Sequence, residues 1–77
     1  MTYSQRLRDL RMDADKTQAE IAGILNTSQQ YYGKYENGKR PLPIEHLKTL
    51  CEYYYVSADY ILGLPADLPY GHSKTRP

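Results

Sequence analysis

The sequence predicts an all-α fold, a compact set of five short helices. Three observations carry the prediction. Apolar residues recur at three- and four-residue spacings along several segments, the period of a helix with one packed face. A serine or threonine stands where four of those segments begin, supplying a side-chain oxygen for the first free amides. Glycine, asparagine or proline stands where segments end, as in Asn37-Gly38 and Gly63 with Pro65.

Residues 4–13 place Leu7 and Leu10 on one face with Tyr3 a turn earlier, and Arg6, Arg8, Asp9 and Asp13 outside, with Thr2 or Ser4 as cap. Residues 13–16 are polar and form the connection. Thr17 caps a second helix over 18–25, whose inward stripe is Ile21, Ala22 and Leu25 with Ile24 beside it. Asn26 suits a left-handed corner, because it visits that conformation more readily than most residues. Ser28 caps the third helix, about 28–36, which divides into two sides. Tyr32, Tyr35 and Glu36 fall on one; Gln30, Gly33, Lys34 and Asn37 fall on the other, flanked by Gln29 and Tyr31. After a loop with Pro41 and Pro43, the spacing of Ile44, Leu47, Leu50, Cys51 and Tyr54 predicts a buried stripe on a fourth helix, 44–54. Ser57 caps the fifth, 58–62. Residues 1–64 are therefore read as the domain and 65–77, punctuated by proline, as a flexible tail.

Seventy-seven residues with 40% hydrophobic content predict one small domain whose core is marginal unless its helices pack well or the chain dimerises. The net charge of +1 does not by itself announce nucleic acid, so any such partner must be argued from where the charges sit. The single cysteine, Cys51, forms no internal disulfide, and no Cys/His set has zinc spacing, so no metal or cofactor is expected. The N-terminus lacks an apolar signal core and no run is long enough to span a bilayer, which predicts a cytoplasmic protein. Neither His46 nor His72 has a serine, cysteine or carboxylate convincingly beside it, so no catalytic residues are assigned and no enzyme is expected. Every aromatic residue is a tyrosine, nine in all, suited to half-buried sites with a wet hydroxyl.

Five pieces in order carry a resemblance: Leu10-Arg11; Thr17-Gln18-Ala19-Glu20-Ile21-Ala22; Asn26-Thr27-Ser28-Gln29-Gln30; Lys34-Tyr35-Glu36-Asn37-Gly38-Lys39-Arg40-Pro41; and Val56-Ser57-Ala58-Asp59-Tyr60-Ile61-Leu62-Gly63. Over about residues 3–63 the chain resembles the lambda-repressor-like, Cro/CI-type (XRE) helix-turn-helix regulators, with the motif at helices two and three. The resemblance implies base reading by Gln29, Gln30 and Lys34, with Tyr31 adding a base-edge or phosphate contact and Gly33 part of the same base-reading face. It implies phosphate contacts from Thr17 and Gln18, where Gln18 also braces the recognition helix, and from Asn37, Lys39 and Arg40 with the backbone amides around Asn37-Gly38. It also implies a partly buried pair, Arg11 with Glu36. The chemistry agrees: a glutamine amide pairs with adenine N6 and N7, and lysine donates to guanine O6 and N7.

The sequence departs from that pattern at several places. Gly33 within the recognition helix is either a means of sitting deeper in a groove or a tolerated exposed glycine. Tyr32 replaces an aliphatic residue, implying a roomier core or a hydroxyl that reaches the surface. Lys16 replaces an apolar residue and leaves the first corner less anchored; Tyr55 stands where glycine or asparagine commonly caps helix four. Cys51 reads as a small core residue rather than a redox sensor. Tyr53, Tyr54 and Tyr55 are either solvent-exposed rings or, with Tyr60, part of a dimer contact. The resulting expectation is a double-stranded-DNA-binding transcriptional regulator, a repressor, acting as a homodimer on a pseudo-palindromic operator. Its rivals are an antitoxin-type interaction module that also binds DNA and an RNA-binding or structural helical module.

Overall fold

The computed structural model describes residues 2–65; the expected tail beyond Pro65, His72 included, lies outside the described residues. Among the described residues five helices follow in order: α1 Tyr3–Asp13, α2 Gln18–Ile24, α3 Gln29–Glu36, α4 Ile44–Tyr54 and α5 Ala58–Leu62. Their starts are set locally. Thr2 and Thr17 each close a reciprocal capping box, with Gln5 and Glu20, and Ser28 and Ser57 accept from the amides of Tyr31 and Tyr60. Pro43 stands before α4 with no side-chain cap, its φ of −62° already compatible with the turn that follows.

The interior is one cluster. Leu7 from α1, Ile21 and Ala22 from α2 with Leu25 just past its end, Tyr32 and Tyr35 from α3, Leu50 from α4 and Ile61 from α5 are all buried. Each fully buried aliphatic side chain contributes about 1.5–3 kcal/mol of apolar transfer, which is how five short helices hold one another. Helix α3 packs on both α2 and α1, and α5 bridges α1 and α4.

Several expectations need correction. Ile44, placed at the head of the buried stripe, is 81% exposed. The three-residue spacing aligns it with Leu47 but carries it one turn beyond the residues that reach the core. Arg6, expected outside, is half-buried, its guanidinium 4.5 Å from the centroid of the Tyr60 ring, and so ties α1 to α5. The first corner is well anchored despite Lys16. Asp15 turns it in a left-handed conformation (φ 57°), the Lys16 amide donates to the Arg11 carbonyl, and the Arg11 guanidinium donates back to the Lys16 carbonyl at 3.0 Å. Of the two readings of Tyr32, its complete burial excludes the hydroxyl at the surface and leaves the ring as part of the core.

Other readings hold. Asn26 turns the α2–α3 corner at φ 57°. Against the expectation that its departure from glycine or asparagine weakens the cap, Tyr55 does close α4 in a left-handed conformation, φ 59° and ψ 50°, and is 95% exposed. Tyr53 is exposed and Tyr54 half-buried. Cys51 is partly buried against the core, and burial pushes its thiol up from the usual range.

Candidate nucleic-acid interface

The site is built on α3 and the loop that leaves it. The buried side of α3 is held by a polar hub. Glu36, whose side chain is only 2% exposed, accepts from Arg11 Nε at 2.8 Å and Arg11 Nη2 at 3.1 Å, a two-pronged ion pair. Gln18 Nε2 donates to the same carboxylate at 3.1 Å. One side chain of α3 is thus joined to α1 and to the start of α2. Burial drives the Glu36 carboxyl up, but its hydrogen bonds and the Arg11 charge outweigh burial and leave it below the usual carboxylate range. The Tyr32 hydroxyl lies against this carboxylate without completing a hydrogen bond of good geometry, and burial raises both it and the nearby Tyr54 phenol, the latter to about 12.

The outward side of α3 carries Gln29, Gln30 and Lys34, all exposed. With Gln18, Gly33 and Asn37 they line a shallow open depression. Gly33 is not the exposed glycine of one sequence reading. It is buried in the floor of the depression, where an added Cβ would meet Gln18 Oε1 at 3.4 Å. A methyl there would stand at ordinary contact distance from the Gln18 amide that braces Glu36.

Helix α3 is capped by Asn37, and Gly38, at φ 74°, reverses the chain in a conformation that favours glycine. The closure takes up the local amides. Asn37 N–H donates to the Gly33 carbonyl, Gly38 N–H to Tyr35, and Lys39 N–H and Arg40 N–H both to Lys34. The expectation that amides around Asn37-Gly38 are free for phosphate is therefore corrected, leaving the side chains of Asn37, Lys39 and Arg40, all exposed. The Thr17 amide is likewise taken, donating to Glu20 at 2.8 Å, whereas its hydroxyl accepts from the Glu20 amide and keeps its own proton to donate. That first bond holds the Glu20 carboxyl below its ordinary range.

Two supporting contacts were invisible in the sequence. Tyr3 accepts from the Leu42 amide at 3.1 Å across 39 residues, anchoring the far end of the loop that carries Lys39 and Arg40. Ser4 is buried, its hydroxyl 3.7 Å from where a Cβ on Gly38 would stand. No local pattern announces either, because each joins the start of the chain to a loop folded onto it. Arg11–Glu36 is the sole ion pair among the described residues, so none of Lys34, Lys39 and Arg40 is paired with a carboxylate there.

Residues 7–61 match the family model described as helix-turn-helix. The chain belongs to the helix-turn-helix family. Among the family's members it is 40% identical over 65 residues to an uncharacterized HTH-type transcriptional regulator, YobD, of Bacillus subtilis, a match covering 84% of this chain and 58% of that protein. It is 32% identical over 52 residues to the cryptic phage CTXphi transcriptional repressor RstR of Vibrio cholerae, covering 68% of this chain and 47% of the repressor. The chain thus spans about half the length of these relatives. Its fold matches that of a transcriptional regulator from Listeria innocua with a TM-score of 0.80 at 24% identity, over 88% of this chain and 64% of that one. Among the described residues no helix is long and apolar enough to cross a membrane.

Proposed function

We propose that this chain is a sequence-specific double-stranded-DNA-binding transcriptional regulator, a repressor, that places α3 in the major groove. The observation that carries the reading is the outward face of α3. Two amides and a lysine stand there on a helix held rigidly from behind by Arg11, Glu36 and Gln18, with Lys39 and Arg40 beside them. Gln29, Gln30 and Lys34 read base edges, and Tyr31 borders them. Gly33 serves by lacking a side chain. Gln18, Thr17, Asn37, Lys39 and Arg40 meet phosphates and fix register. Membership of the family and likeness to a named transcriptional repressor support the regulatory role. The domain is residues 1–64, the chain acts in the cytoplasm, and it binds rather than catalyses. It acts as a homodimer on a pseudo-palindromic operator, with half-sites about one DNA turn apart. Tyr53, Tyr55, Tyr60, Leu62 and Leu64, all exposed near α5, are the surface that supports self-association.

Selection of bound sequences from random duplex DNA tests this. An enriched motif with two-fold symmetry is expected, and Gln29→Ala with Gln30→Ala should lose it. Lys39→Ala should weaken binding to all sequences alike and reduce the salt slope by about one ion. No enriched motif, or a double alanine variant that binds the motif unchanged, would overturn the reading.

A further inference from the structure

The ring of Tyr31 gathers two cations. Lys34 Nζ lies 5.6 Å from its centroid and the Arg40 guanidinium carbon 5.0 Å. Lys34 is one turn on along the same helix, where i and i+3 side chains meet. Arg40 arrives from the loop, turned back by Gly38 and held by the Lys39 and Arg40 amides on the Lys34 carbonyl at 2.9 and 3.3 Å. The ring is steadied from below by an edge contact with the buried Tyr35, centroids 6.0 Å apart at 83°. Neither cation is paired with a carboxylate among the described residues, so the ring of Tyr31 is the partner that each of them has.

We infer that Tyr31 is a positioning residue that holds Lys34 and Arg40 together, coupling the base-reading lysine to the phosphate-holding arginine. The inference rests on the DNA-binding reading of those two cations. Its chemical content is that the aromatic face, not the hydroxyl, does the holding. Confining two long side chains before DNA arrives lowers the ordering cost of binding. It also presents two charges as one cluster to a phosphate-rich surface.

The experiment compares the full chain with Tyr31→Phe and Tyr31→Leu. In the free proteins, the Lys34 ε-methylene and Arg40 δ-methylene protons should show upfield ring-current shifts that persist in Tyr31→Phe and vanish in Tyr31→Leu. In titrations of a selected duplex, Tyr31→Phe should bind within about twofold of the parent chain. Tyr31→Leu should weaken binding about five- to thirtyfold, the worth of two exposed cation–π contacts. That loss should disappear in a Lys34→Ala, Arg40→Ala background. Melting temperatures confirm that the variants are folded. Absence of the shifts in the parent chain overturns the inference whatever the DNA result. So does a Tyr31→Phe loss as large as that of Tyr31→Leu, which would mean the hydroxyl contacts DNA itself. If the shifts are present but the parent chain binds no duplex, the DNA reading fails while the cation clustering stands.

Discussion

Replacing Arg11 with alanine is the sharpest probe of the hub that holds α3. The substitution removes two hydrogen bonds to Glu36, at 2.8 and 3.1 Å, and a third to the Lys16 carbonyl at 3.0 Å. It leaves a carboxylate whose side chain is 2% exposed with Gln18 as its remaining hydrogen-bonded partner. Removing one member of a buried pair costs about 3 kcal/mol or more, because the penalty is that of the charge left behind. For a domain of this length total stability is roughly 4–11 kcal/mol, so the loss is a large fraction of the whole. In a domain of 60–100 residues each kcal/mol moves the melting temperature by about 4–8 °C, which gives an expected fall of roughly 12–24 °C. Thermal unfolding followed by circular dichroism at neutral pH measures it. Replacing both members, Arg11→Met with Glu36→Leu, should be less damaging than Arg11→Ala alone, since no charge is then stranded. A fall of less than about 4 °C for Arg11→Ala, or a double variant less stable than the single one, would refute the reasoning.

Stability should also depend on acid through Glu36. Its folded-state affinity for protons is depressed, so its stabilisation is present above the unfolded carboxylate value of about 4.3 and is lost as pH falls through the lower folded value. Chemical denaturation across that range should show less acid sensitivity in Glu36→Gln than in the parent chain. Gly33→Ala should raise stability by up to about 1 kcal/mol, because the helix-propensity gain exceeds the cost of a methyl meeting Gln18 Oε1 at ordinary contact distance, 3.4 Å; urea denaturation decides, and a decrease would mean that Gln18 cannot yield. Tyr55→Gly should stabilise by about 1 kcal/mol, since a left-handed residue with a side chain is strained and the lost ring, 95% exposed, buries almost nothing. An unchanged or lower denaturation midpoint would show that the ring packs on something in solution.

What could be read in advance was whatever depends on neighbours in sequence. The capping of Thr17, Ser28 and Ser57, the left-handed Asn26 and the end of α5 were all legible, because a cap or turn is satisfied within a few residues. The outward face of α3 was legible for the same reason, since helical periodicity alone separates Gln30 and Lys34 from Tyr32 and Tyr35. Periodicity misled at Ile44 and Gly33, because it gives the direction of a side chain but not what lies there. Ile44 points along the stripe into solvent, and Gly33 points under Gln18.

Sequence by itself therefore determined the helices, their limits, the family resemblance and the identity of the exposed polar residues. Tertiary structure alone decided how they are joined. Tyr3 meets Leu42 across 39 residues and Arg40 returns to the ring of Tyr31, while the Arg11–Glu36 pair and the Gln18 brace, implied beforehand only by the family resemblance, close across 25 and 18 residues. It also decided that the amides after α3 are taken by the helix's own last carbonyls. The physical reason is that hydrogen bonds, ion pairs and cation–π contacts act over a few ångströms of space, and the distance along the chain between their partners carries no trace of them.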